Sequence, residues 1–367
     1  MNMSAILSSY VCRIFLLSFL AVFAILIGLI FLFDTIELLR RASGYEHIGV
    51  ALVIRMSLLK LLFLGQQAFP FAVLFGGMVA FWRLTRSSEL VVARAAGVSA
   101  WQFLLPVLAV TFMIGLIKIM LLNPMASAFL TKHDQLESTY FKGETSLLAL
   151  SSNGLWLRQS NNKNQSVIHA THLTLSGNNI DLQDVTMFMY DGVDKYRRHI
   201  SAKSAKLEDG FWHLRDAWIH ERDADRPKFK AEHWVSTNIT LNNINDSFSP
   251  PETLSFWTLP AFIRNLDQAG FSALRHRLYW HSLLAAPLLL CAMVLIAATF
   301  TLKQSQRNST SFLVIGGVLA GFLLFFFSDV VFALGLRESI PVVLAAWTPS
   351  GISALLGLAM VFHLEDG

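Results

Sequence analysis

The chain has 367 residues, 54% of them hydrophobic and only 15% charged, with a formal net charge of +4. Soluble domains carry about a quarter charged residues, so the composition excludes an ordinary soluble globular protein. So small a charge offers no footing to a nucleic-acid partner, and two cysteines, Cys12 and Cys291, both within apolar runs, exclude a disulfide framework.

A membrane-spanning helix needs about 20 consecutive apolar residues. Val11 to Phe33 is the first such run. It is too long for a signal-peptide core and lacks a small-x-small cleavage site, so it reads as a retained first helix. Met56 to Trp82, interrupted by Lys60, is the second, and Trp101 to Leu122, with Lys118 near its end, is the third. Between them, residues 82–98 predict a short helix. Ser87 or Ser88 can cap it, Glu89 lies where the helix dipole favours an anion, and Gly97 fits its stop. Val91, Ala95 and Val98 form one apolar stripe, flanked by Arg86, Glu89 and Arg94. Such a helix lies on a membrane surface or docks into a soluble partner. Its small Ala and Gly residues, and the lack of aromatic anchors in the stripe, tilt the reading to docking.

From Lys132 to Arg275 the chain is polar. Short alternating runs between Leu155 and Leu241 are the mark of half-buried strands. Phe211 to His220 places Trp212, Leu214 and Trp218 on one face by strict alternation. Asp191-Gly192 and Asp209-Gly210 suit tight hairpin turns. The expectation is an antiparallel sandwich or partly open barrel. Three further apolar runs follow: Tyr279 to Leu302, Phe312 to Leu334 (with Asp329 inside it) and Pro341 to His363. The expected domains are therefore 1–131 (helices one to three, with the short helix at about 87–97), 132–275 (β domain) and 276–367 (helices four to six).

Six spans put both termini and the 82–100 loop on one side of the membrane and the β domain on the other. The excess of short-loop cations is small: Arg83, Arg86, Arg94, Lys303 and Arg307 against Arg40, Arg41, Arg55 and Arg337. It places the termini in the cytoplasm. The cations on the far side either snorkel to lipid headgroups or await an anionic ligand. Arg40, Arg41, Arg55, Lys60, Lys118 and Lys132 are the candidates for a lipid or phosphate site, with Arg suited to bidentate contacts and Lys to point-charge attraction. Asp329, an acid within a span, is a functional candidate or a helix-packing hydrogen bonder.

No P-loop, H-E-x-x-H or G-x-S-x-G pattern occurs, so the chain carries no visible ATPase or hydrolase site. No catalytic residue, metal site or cofactor is read. His169 and His172, the nearest approach to a metal pair, point to opposite faces of a regular strand.

Arg86-Ser87-Ser88-Glu89-Leu90-Val91-Val92 followed by Ala96-Gly97-Val98-Ser99 resembles the loop after helix two in the lipopolysaccharide export permeases of the LptF/LptG (YjgP/YjgQ) type, closer to the LptG branch. The likeness extends over nearly the whole chain. It takes in Pro70, Pro124, Gly154-Leu155-Trp156, Asp329, Ile340-Pro341 and Pro349-Ser350, and the order of three spans, β domain and three spans. The resemblance implies an inner-membrane permease with a periplasmic β-jellyroll-like domain between helices three and four. It implies pairing with a paralogous LptF-like permease. A cytoplasmic LptB-like ATPase dimer would bind the loop helix, and LptC/LptA-like bridge proteins would receive lipopolysaccharide. By this likeness Glu89 is the acid that seats in the ATPase, with Arg86, Arg94 and Gly97 around it. Two departures stand out. At the outer end of helix one Asp34 stands near where that branch often has a lysine, and after Pro124 the family's arginine is replaced by Lys132 and His133. Two other readings stay open: a membrane-anchored scaffold or receptor with a periplasmic β domain, and the permease of another ABC-type exporter. A scaffold needs no short charged helix at 83–98, and ABC permeases of the efflux or cell-division type typically have four spans.

Overall fold

The computed structural model describes residues 5–45, 48–89, 92, 95, 97, 99–142, 148–151, 154–161, 164–176, 179–191, 195–208, 210–222, 226–237, 250–268, 272–302 and 310–366. The chain divides into two compact units, Met1–Phe141 with Pro251–Pro260 and Leu274–Gly367, and Lys142–Pro250 with Ala261–Ala273. The described helices are α1 (Ala5–Ala42), α2 (Val50–Arg86), α3 (Ala100–Ile117), α4 (Asn123–Glu137), α5 (Leu259–Gln268), α6 (Leu274–Leu302), α7 (Thr310–Leu336) and α8 (Val342–Asp366).

Among the described residues, six helical stretches are long and apolar enough to cross a membrane, as the sequence predicts: Ile6–Ala42, Val50–Arg86, Ala100–Phe141, Leu274–Thr301, Ile315–Leu336 and Val342–His363. At their centre is α6, which packs on α2, α3 and α8. Leu290 and every residue from Ala292 to Ala298 are buried. A helix that is apolar and covered all round belongs to the inside of a bundle. By contrast the fully buried residues of α1 lie only near its ends, while in its middle Phe23 packs edge-on against Phe69 of α2 and the opposite face is open. Val11, Ile14, Phe15 and Phe19 are buried at one end and Leu38 and Ala42 at the other, the latter against Val53 and Met56. Between them Leu20, Ile25, Leu29, Leu32, Phe33 and Ile36 are exposed.

The third stretch runs past the apolar limit at Leu122. A π-helical turn, Lys118–Leu122, joins α3 to α4, and a second, Ser138–Lys142, follows α4. Pro124 lies in the first turn of α4, where its missing N–H costs nothing. The π turn displaces carbonyls from the helical ladder, and side chains recover them. Gln66 Nε2 donates to Leu122 O at 2.9 Å, and Trp257 Nε1 donates to Met120 O at 3.4 Å. Asn123 accepts from the Phe256 N–H at 2.7 Å and donates to Tyr279 Oη at 3.3 Å.

The second unit contains one antiparallel sheet: β1 (Leu148–Ser151), β2 (Gly154–Asn161), β3 (Asn164–Ser176), β4 (Asn179–Asp191), β5 (Lys195–Glu208), β6 (Phe211–Glu221) and β7 (Lys228–Ser236). Each strand lies beside its sequence neighbours, a plain meander among the described residues. The β domain between helices three and four is thus present as expected. One cross-strand row, Leu157–Ile168–Met187–Ile200–Ile219, is buried throughout, and so is a second, Leu182–Ala205–Leu214. The rows fall on opposite parities. In β4 the buried residues change from Leu182 to Val185 and Met187, and in β6 from Trp212 and Leu214 to Ala217 and Ile219. Asp184 (φ 51°) and Asp216 (φ 53°) stand at the changes. A positive φ in mid-strand inverts the pleat, and Asp is among the few non-glycine residues that tolerate it. This corrects the strict alternation expected for β6: Trp218 is 47% exposed and lies on the face opposite Trp212 and Leu214.

Candidate functional site

The segment after α2 starts at a sharp backbone reversal. Ser87 Oγ donates back to Arg83 O at 3.0 Å, so Ser87 closes α2. Ser88 adopts φ 59°, and its carbonyl accepts from the Val92 N–H at 3.0 Å, which begins a new helical turn containing Glu89. Gly97 has φ +85°, a left-handed conformation that glycine adopts without penalty. Ser99 then caps α3 in a reciprocal capping box with Gln102. Glu89 is exposed, and Tyr10 Oη of α1 donates to its Oε1 at 3.3 Å. The Arg86 guanidinium lies over the Trp82 ring, 5.1 Å from its centroid. Arg94 lies outside the described residues.

The opposite end of α1 carries the candidate lipid-binding cations, and several already have acids. Arg40 pairs with Glu37 at 2.8 Å and Arg41 with Glu137 at 3.3 Å. Lys60 Nζ lies 3.0 Å from Asp34 Oδ1. Asp34, the acid at the outer end of helix one, is therefore matched by a base from helix two. Asp34 Oδ2 and the Oγ1 of the next residue, Thr35, are buried and have no hydrogen-bond partner among the described residues. Arg55 and Lys132 are exposed, and neither forms an ion pair among the described residues. Lys118 stands apart: it is buried and sits 5.7 Å from the Phe69 ring centroid instead of snorkelling outward. Asp329 is exposed on α7 among exposed Phe322, Phe325, Phe326 and Val330.

Sequence reasoning missed Tyr10, Gln66 and Asn123. Tyr10 and Glu89 are 79 positions apart, and no local pattern joins them. A polar residue inside an apolar run is the only signal that could have marked Gln66.

Among the described residues, His133, Asp134 and Glu137 are near enough together to hold a cation, with donor atoms within 4.8 Å of one another. His133 Nδ1 is 3.1 Å from Asp134 Oδ1 and 4.0 Å from Glu137 Oε2. A metal on Nδ1 would put the ring proton on Nε2, which is buried without an acceptor. Metal-binding histidines almost always donate through their second nitrogen. The group therefore fits an Nδ1–H donor on Asp134, with Glu137 anchored by Arg41, better than a metal centre.

Comparison with known proteins covers this whole arrangement. The family described as lipopolysaccharide export system permease LptF/LptG matches residues 9–362. The chain is 22% identical over 371 aligned positions to the lipopolysaccharide export system permease protein LptG of Escherichia coli (strain K12), covering 98% of each chain. It is also 22% identical over 311 positions to the protein of the same name from Haemophilus influenzae, covering 82% of this chain and 81% of that one.

Proposed function

The chain belongs to the LptF/LptG family of lipopolysaccharide export system permeases, and on that premise we propose that it is the membrane subunit of an ATP-driven exporter in the bacterial inner membrane. The observation that carries this reading is the span of the match, which takes in both helical triads and the β domain. The termini and the 87–97 segment face the cytoplasm, and the β domain faces the periplasm. A paralogous LptF-like permease completes the membrane part. An LptB-like ATPase dimer seats the 87–97 segment and supplies the hydrolysis that this chain has no motif to perform. Lipopolysaccharide is extracted from the outer leaflet of the inner membrane and passed through the β domains to LptC/LptA-like bridge proteins.

The physical demands of the task match the molecule. Exposing acyl chains to water costs about 25 cal/mol per Å² of apolar surface, so the route must be apolar and enclosed. The exposed face of α1 carrying Leu20, Ile25, Leu29, Leu32, Phe33 and Ile36 supplies an apolar surface. Lipid phosphates need cations at the headgroup end. Arg55 and Lys132 are free to serve there, while Arg40, Arg41 and Lys60 must exchange Glu37, Glu137 and Asp34 for phosphate.

The test is reconstitution with the partner permease and the ATPase. Glu89→Ala or Glu89→Lys should uncouple lipid release from ATP hydrolysis. Unchanged transport in such vesicles would remove Glu89 from the coupling role. ATP turnover by this chain alone would overturn the exporter-subunit reading.

A further inference from the structure

We propose that Tyr10 is a positioning residue for energy coupling, holding the Glu89 carboxylate and carrying the displacement of the 87–97 segment into α1. The proposal rests on the reading of Glu89 as the acid that meets the ATPase.

The contact links two exposed side chains far apart in sequence, with Tyr10 Oη 3.3 Å from Glu89 Oε1. Burial does not force them together. A phenol donor orients a carboxylate without neutralising it. The contact engages Oε1 and leaves Oε2 without a hydrogen bond among the described residues, available to a cationic side chain of the ATPase. An arginine or lysine in place of Tyr10 would have competed with that partner for the same charge.

What lies behind Tyr10 decides where a pull on Glu89 goes. The next residues of α1, Val11, Ile14, Phe15 and Phe19, are buried in the helical core. Phe19 also packs on α2 so closely that a Cβ added at Gly76 would fall 2.7 Å from the Phe19 Cα. An α-helix is stiff along its axis, and α1 continues unbroken for 38 residues, about 57 Å at 1.5 Å per residue. Its next buried residue after Phe19 is Leu38. A shift of Glu89 is thus delivered first to the packed end of α1, and from there along the helix toward Leu38. Ser87 also joins this segment to α2, by donating to the Arg83 carbonyl of that helix. Among the described residues, the phenol links Glu89 directly to α1.

The experiment uses the full permease–ATPase complex in vesicles containing lipopolysaccharide. It compares wild type, Tyr10→Phe, Glu89→Gln and the double variant for lipid exported per ATP hydrolysed. Tyr10→Phe removes one oxygen and keeps the ring. Losing a hydrogen bond to a charged group should lower export per ATP by roughly tenfold. The complex should remain assembled, and Tyr10→Phe should add nothing further in the Glu89→Gln background. If Glu89→Gln uncouples while Tyr10→Phe exports like wild type, the Tyr10 inference falls and the coupling reading stands. If neither uncouples, the coupling reading itself falls. Effects that multiply independently in the double variant, or a Tyr10→Phe complex that fails to assemble, would also overturn the role given to Tyr10.

Discussion

Lys60 and Asp34 neutralise one another across the α1–α2 contact, 3.0 Å apart, at the helix end opposite Glu89. On the proposed lipid-binding reading, the acid that alone would repel a lipid phosphate becomes a counter-ion that the phosphate must displace. Asp34 is the more enclosed partner, with a side chain 10% exposed against 30% for Lys60. Removing the acid leaves a partly buried ammonium uncompensated. Asp34→Asn should lower stability by roughly 1–2 kcal/mol, between the values for surface and fully buried pairs, read as a fall in melting temperature in detergent. The same variant should bind lipopolysaccharide more tightly than wild type, because Lys60 no longer has a competitor. Equal affinity in wild type, Asp34→Asn and Lys60→Met would take Lys60 out of the lipid site.

Gln66 sits in a membrane helix for a reason external to that helix. Its amide meets Leu122 O, a carbonyl at the end of the π turn. Gln66→Leu fits an apolar surrounding but abandons a part-buried acceptor, which costs roughly 1 kcal/mol or more. The expected result is a lower melting temperature than for Gln66→Glu at acidic pH, where the protonated carboxyl can still donate. A Gln66→Leu protein as stable as wild type would mean that another donor reaches this carbonyl.

The pleat inversion in the sheet makes a sign-specific prediction. At Asp216, with φ 53°, glycine should be neutral or slightly stabilising. Valine, whose branched Cβ is incompatible with this region, should cost roughly 1–3 kcal/mol. At neighbouring Ala217, a buried site with ordinary backbone, the order of tolerance should differ, with glycine the poorer choice. Thermal unfolding followed by tryptophan fluorescence can read the difference, since Trp212 and Trp218 lie on opposite faces around the inversion.

The β domain should weaken in acid. Burial, then neighbouring His220, hold the His199 imidazole below its ordinary pKa, and the two rings stack 4.3 Å apart. Its Nδ1 is 2.7 Å from Tyr196 Oη. Because the folded-state pKa is depressed, the unfolded chain takes up the proton more readily. The stabilisation from this site is complete above about pH 6.5, the ordinary histidine value. It is lost as pH falls through that value and then through the folded one. His220→Asn should flatten the fall in melting temperature between about pH 7.5 and 5.5. An unchanged slope would assign the acid sensitivity to other groups, such as His233, also lowered by burial and by Lys230 and Arg198.

The sequence by itself determined the architecture. Apolar runs near bilayer length can be satisfied only by spanning helices, and alternating runs divided by Asp-Gly and Asn-rich turns can be satisfied only by antiparallel strands. It also carried the family likeness in residues 86–99, later supported by a match over residues 9–362. Local rules failed wherever the outcome turned on a distant partner or on one dihedral angle. Hydropathy ended the third span at Leu122, although helical structure continues to Lys142, because helix formation needs no lipid. Strict alternation misplaced Trp218, because Asp216 inverts the pleat. The tertiary structure alone decided that Lys118 turns inward onto Phe69, that Asp34 and Lys60 cancel, and that Tyr10 reaches Glu89. The physical reason is common to all three. A charge or donor is governed by what folding brings within about 3–6 Å of it, and chain order does not encode that proximity.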